Sequence, residues 1–523
     1  MTSQSTTSQG TTAPTAPANA SLATHHHPPP QAAPPAAKSA PVPAPPGLIP
    51  PKPEASPSAQ DREKAVYEQL QRAEQAMIGK RLGEAAGICQ DVLEAVPDYP
   101  PALALLGSVL GNRGDVGRAI PLLERAVAKQ PNVAAWHSNL SGLYRLLYRF
   151  QDAVAAATEA VRLQPAVPRF QVNLGKALMD RGEREAAVNA FLAALAKEPG
   201  HAEAHLAIGQ ILLARGEMKP GWVEYEWRNQ LDQARGMLPK MAAPAWNGMR
   251  MPEDRILLVG DQGYGDTLQF CRYIPEVAAR CREVVVGCSP DIEALIRTVR
   301  GVSGCFTRWD QIPAHKVFCL LSSLPGIFGT ELTTVPASIP YVSADPALIS
   351  AWQTRFARDL PQDALRVGIA WAGRTTHPND RRRSMRLADL APLAEVPGVA
   401  FVSLQQKFPA RDRAAPSPLP NLLDVGDQLT NFAETAAAIV NLDLVVCVDT
   451  SIGHLAGALG KPAWLMLATP SDWRWLLDRA DSPWYPTHRL FRQPQAGDWT
   501  SVTTAIAEAI ARHPRRGKQA AAT

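Results

Sequence analysis

A chain of 523 residues exceeds one domain, and a net charge of +4 with 20% charged residues gives no global attraction for nucleic acid or an acidic membrane surface. Seven cysteines form an odd set with no CxxC pair, mostly inside apolar runs such as VVVGC, which favours reduced thiols and a cytoplasmic protein over disulfides or a zinc site. No run of about eighteen apolar residues and no basic-then-apolar leader is present, so no membrane span is expected.

Residues 1–60 come first. They hold fifteen prolines and almost no large apolar residue, so they cannot bury enough surface to offset ordering and read as a disordered Pro/Ala-rich tail. His25, His26 and His27 within it read as low-complexity sequence in preference to metal ligands.

A repeat follows. Pro97, Pro131, Pro165 and Pro199 stand 34 residues apart, each after a helical pattern such as LLERAVAKQP. Gly107, Ser141, Gly175 and Gly209 keep one small column, and Ala85, Ala119, Ala153, Ala187 and Gly221 keep another, so paired antiparallel helices can approach closely. This pattern resembles the tetratricopeptide repeat and implies five units over residues 61–232, the first without its proline. Such an array is expected to be a superhelical solenoid whose concave groove takes a protein or peptide. Its last helix, GWVEYEWRNQ, is aromatic beyond what a solenoid needs and reads as a cap packing onto the next domain.

After a Pro- and Met-rich linker, 233–253, short apolar runs alternate with helices: RILLVG, REVVVGC, KVFCLL, RVGIAW, VAFVSLQ, DLVVCVDT and KPAWLML. That alternation predicts parallel sheets covered by helices, in two Rossmann-like halves, 254–345 and 346–512, the first short. A disordered tail, 513–523, closes the chain.

Two stretches sit where such sheets bind ligands. Gly260–Asp266 follows a strand and opens a helix expected at Thr267; without full GxGxxG spacing or a P-loop GK[ST], nicotinamide and phosphate-cleaving chemistry both fall away. Strand RVGIAW runs into a loop carrying Arg374, Arg381, Arg382 and Arg383, which concentrates positive charge suited to a diphosphate. Between the runs LVVCV and AWLML, the segment from Asp449 through Thr450 and Ser451 reads as a turn into a helix N-terminus, an anion site.

The segment Asp449-Thr450-Ser451-Ile452-Gly453-His454-Leu455-Ala456 resembles the DTGxxHLA motif of heptosyltransferase-like glycosyltransferases, family nine, which have the GT-B fold; Gly265-Asp266-Thr267 resembles their GD[VT] motif. Ser451 and Gly453 depart from the commonest motif residues. Fusion to repeats is similar in architecture to bacterial protein O-glycosyltransferases of the O-GlcNAc transferase type and to flagellin-modifying proteins.

The resemblance implies an inverting, metal-independent transferase with a nucleotide sugar as donor substrate and no cofactor. It implies that Thr450, Ser451 and the backbone around Gly453 hold the diphosphate, that His454 donates to a phosphate oxygen, more strongly if protonated, and that Asp449 meets sugar hydroxyls or its own turn. Asp266 is implied as catalytic base, with Gly265 and Thr267 beside it; capping of the following helix is an equal reading of the same aspartate. Gln405 and Glu434 are placed for base and ribose, the latter also explained by the helix dipole. The acceptor is expected to be a protein presented by the repeats. A lipopolysaccharide-type carbohydrate acceptor, a non-catalytic scaffold with a degenerate nucleotide domain, and a homo-oligomer all stay open.

Overall fold

The computed structural model describes residues 57–231, 241–377 and 379–513. The expected tail up to residue 56, linker residues 233–240 and residues 514–523 lie outside them. Helix α1 opens at Pro57.

Ten helices, α1 (Pro57–Ile78), α2 (Leu82–Ala95), α3 (Pro100–Asn112), α4 (Val116–Lys129), α5 (Ala134–Leu146), α6 (Phe150–Leu163), α7 (Pro168–Arg181), α8 (Arg184–Leu195), α9 (Ala202–Arg215) and α10 (Met218–Tyr225), stack as five pairs in a tetratricopeptide solenoid. Local chemistry sets their ends. Pro168 opens α7 at a position that needs no backbone donor, and Gly182 ends it at φ 91°, a left-handed conformation costly for other residues. The small columns are where paired helices touch. A Cβ on Gly175 would lie 2.5 Å from the Phe191 ring, and Ala85, Ala119, Ala153 and Ala187 are fully buried.

The aromatic helix docks the array. Trp222 donates from Nε1 to the Thr330 carbonyl at 2.9 Å and stands edge-on to Trp473 at 5.4 Å, while Tyr225 meets Trp473 at 5.5 Å. One apolar core therefore runs from α9 and α10 through a face of each of two sheets.

The first sheet has the order β3-β2-β1-β4, from β1 (Met251–Val259), β2 (Cys281–Gly287), β3 (Gly304–Phe306) and β4 (Val317–Leu320). The second has the order β10-β9-β8-β5-β6-β7, from β5 (Leu365–Ala370), β6 (Val399–Ser403), β7 (Leu423–Asp424), β8 (Leu444–Val448), β9 (Ala463–Leu467) and β10 (His488–Arg492). Every strand pairing in them is parallel. All seven apolar runs of the sequence form strands; β3, β7 and β10 were not anticipated, because each is an edge strand, short or broken by arginine. The strand order turns back between β1 and β4 and between β5 and β8, which opens a crevice at the carboxyl ends of those strands.

Candidate functional site

Loops from both crevices and the inner wall of the array line a single open cleft of about 1380 Å³. The strand–turn–helix units of the two sheets meet across it. After β1, helix α11 (Tyr264–Phe270) opens at Tyr264, three residues earlier than expected, and packs against α12 (Ser451–Ala458), which follows β8. Gly265 makes this possible, since a Cβ there would sit 2.7 Å from the His454 ring.

On the first-sheet side the polar side chains of the turn are hydrogen-bonded within the protein. Asp266 accepts from the Gly263 backbone at 2.9 Å, as a residue in the first turn of a helix does, and its other oxygen pairs with Arg474. Asp261 is held by Ser322 and Gln262 by the Tyr225 hydroxyl at 3.1 Å. Thr267 is buried, and its Oγ1 donates to the Gly263 carbonyl at 3.3 Å. Burial raises the Asp266 carboxyl above the ordinary carboxylate range against the opposing charge of Arg474.

The second-sheet side is different. Thr450 precedes α12, and its buried Oγ1 has no hydrogen-bond partner among the described residues. Ser451 and Ile452 begin the helix, so their backbone N–H groups have no carbonyl one turn back to meet. Arg383 donates from Nη1 to the Asp449 carbonyl at 3.1 Å, while its buried Nε is left without a partner among the described residues. Arg383 thus reaches the residue before Thr450, and both line the cleft beside a positive helix end, a candidate site for an anion. Burial, then the nearby Asp472, raises the Asp449 carboxyl to about 6 despite Arg383.

The other expected residues divide. Arg374 lines the cleft with its guanidinium 5.2 Å above the Tyr264 ring, bridging the two sheets' loops. Gln405 also lines it, with Oε1 accepting from Ala372 N at 3.1 Å. Arg381 is exposed outside the lining, and Arg382 turns to the array, where it binds Asp180. Gly453 faces away, its carbonyl accepting from His488 at 3.1 Å. Glu434 is corrected too: its carboxylate takes the Trp352 indole N–H at 2.8 Å and is absent from the cleft wall, where Asn431, Phe432 and Thr435 stand instead.

His454 is not a charged donor. It is 5% exposed, and burial first, then Arg474, His488, Arg272 and Arg383, hold it far below the usual histidine range. Its Nδ1 lies 2.9 Å from the Tyr485 hydroxyl, within hydrogen-bonding distance. Arg474, in the stretch DWRW after strand β9, is a site residue that the sequence does not single out. Its guanidinium joins Asp266, Asp472 and Gln269. The array residues Lys176, Glu203, Leu206, Gln210 and Ile211, which face the same cleft, were equally unforeseen.

Residues 105–168 and 172–219 match the tetratricopeptide repeat, and residues 428–467 match glycosyltransferase family 9 (heptosyltransferase). The second match contains Thr450, Ser451 and His454 and stops short of both the arginine loop and Gly265–Thr267. Protein FlbA of Caulobacter vibrioides is 25% identical over 454 residues, 80% of this chain and 73% of that protein. The inactive TPR repeat-containing thioredoxin TTL3 of Arabidopsis thaliana is 33% identical over 88 residues, 17% of this chain and 13% of its own. Among solved structures, TTC0263, a thermophilic TPR protein of Thermus thermophilus, aligns with 22% identity over 32% of this chain and 92% of that one, with a TM-score of 0.29. The chain thus joins tetratricopeptide repeats to a region similar to family 9 glycosyltransferases.

Proposed function

We propose that this protein transfers a sugar from a nucleotide-sugar donor to a hydroxyl of a protein or peptide that lies along the repeat array. The observation that carries the reading is the Arg383 guanidinium on the Asp449 carbonyl, beside Thr450 and the α12 N-terminus, in the lining of a cleft that Asp266 and the array also line. The two parallel sheets facing across that cleft support a GT-B reading.

In this reaction the acceptor hydroxyl attacks the anomeric carbon from the side opposite the diphosphate, inverting its configuration. The carbon–oxygen bond to the diphosphate breaks, and its electron pair leaves with the phosphate oxygen. Asp266 takes the hydroxyl proton. Burial favours that role by raising its proton affinity, while Arg474 and Gly263 N–H fix the carboxylate's direction. The charge gathering on the departing diphosphate is met by Arg383, Arg374 and the helix end. Asp449 is left for sugar hydroxyls.

The test is mass spectrometry of proteins and glycans from a deletion strain, together with titration of the pure full chain with nucleotide sugars. A sugar mass lost from a protein supports the proposal. Loss confined to a glycan gives a carbohydrate acceptor, and a chain that binds no nucleotide sugar is a scaffold.

A further inference from the structure

The arginine loop is held from the array. Asp180, in α7, has a side chain only 6% exposed, and its oxygens lie 2.5 and 2.7 Å from Arg382 Nη1 and Nη2 and 2.6 Å from Arg145 Nε of α5. Arg382 also donates to the Arg145 carbonyl at 2.9 Å and lies 5.5 Å above the Phe150 ring, and the Tyr148 hydroxyl donates to the Arg381 carbonyl at 3.2 Å. The single helical turn Asp380–Arg383 therefore hangs from the solenoid by its third residue.

The far side of that turn is the anion site. Ser384 links buried Asp380 at 2.7 Å to Gly373 N at 2.8 Å, closing the base of the loop. Arg383, adjacent in the chain to Arg382, packs so closely over Gly373 that a Cβ there would meet Nη2 at 2.6 Å. Its guanidinium then reaches the Asp449 carbonyl. The two arginines share one helical turn, so a displacement of that turn moves both.

We propose that Asp180 is a positioning residue of the donor site: the array's buried carboxylate sets the arginine that grips the diphosphate. This rests on the reading of Arg383 as a diphosphate ligand given above. Without the carboxylate that both bind, the two guanidinium groups keep only the more remote Glu203 beside Arg145, and their repulsion at low effective dielectric drives Arg382 outward with the turn attached. The array stays docked meanwhile, because Trp222 to Thr330 and Arg228 to Ser323 at 2.7 Å are independent contacts. The repeats are then a structural part of donor binding as well as an acceptor surface.

The experiment compares full-length wild type, Asp180→Asn and Asp180→Glu, using inorganic pyrophosphate by calorimetry and amide hydrogen exchange of the ligand-free turn. Asp180→Asn is expected to weaken pyrophosphate binding about ten-fold and to speed exchange at Gly373 and Ser384, with Asp180→Glu restoring both toward wild type. A merely structural docking role would lower the melting temperature and leave these two readouts unmoved. Wild-type affinity and wild-type exchange in Asp180→Asn would overturn the proposal. Should wild type itself bind no pyrophosphate, the diphosphate reading fails, and the exchange result alone decides the positioning role: faster supports it, unchanged refutes it.

Discussion

The two turns that face each other across the cleft share a plan and differ in what they leave unbonded. Each leaves the carboxyl end of a buried parallel strand and starts a helix, and the helices touch at Gly265 and His454. After β1, the carboxylates of Asp261 and Asp266 and the amide of Gln262 are all hydrogen-bonded within the protein. After β8, Thr450 Oγ1 and Arg383 Nε are left open among the described residues. Buried polar groups without partners destabilise a fold, and two of them beside one helix end motivate the proposal that a ligand meets them. On the proposed reading the diphosphate goes to the second turn and the first aims Asp266 at the acceptor.

The sharpest way to break this division is Asp266→Asn, which still accepts the Gly263 N–H but cannot take a proton. Turnover should fall about 10²- to 10⁴-fold with donor affinity unchanged, measured by initial rates and by titration. The same role fixes a pH dependence. The base works deprotonated and burial has raised its pKa, so wild-type turnover should fall with acidification while still above the ordinary carboxylate range.

Arg383→Ala removes a charge-assisted contact on the other side. It should cost about 1.5–3 kcal/mol of nucleotide affinity, roughly 10- to 150-fold, in calorimetry, whereas Arg381→Ala, outside the cleft, should stay within about two-fold. The contact between the turns is probed by Gly265→Ala, whose Cβ would lie 2.7 Å from the His454 ring. Urea unfolding should show about 1–3 kcal/mol of destabilisation. Gly87→Ala in α2, with nothing within 4 Å, should instead be neutral or stabilising by up to about 1 kcal/mol. Smallest is Arg374→Ala, an exposed cation over Tyr264, whose loss should lower affinity by about 0.5–1 kcal/mol.

Features whose cause is local were legible. The prolines at a spacing of 34 mark the helix pairs because each stands shortly past a helix end, where no helical N–H is needed, and the buried central strands show as unbroken apolar runs because both faces are covered. Thr450 and Asp266 stood out because a turn after such a strand has few places to go. The fates of individual side chains were not legible, since they depend on partners remote in the chain. Glu434 is taken by Trp352, 82 residues away, and Arg382 by Asp180, 202 away. Arg474 matters through Asp266, 208 residues upstream, and no local pattern around DWRW points there.

The central claim, that the turn after β8 and its arginine hold the donor while the turn after β1 does not, is tested most directly by titrating one nucleotide sugar or nucleoside diphosphate into full-length wild type, Arg383→Ala and Asp266→Asn side by side. Asp266→Asn is expected to bind as wild type does and Arg383→Ala at least about ten-fold more weakly. Equal affinity in wild type and Arg383→Ala, or a loss confined to Asp266→Asn, would contradict it.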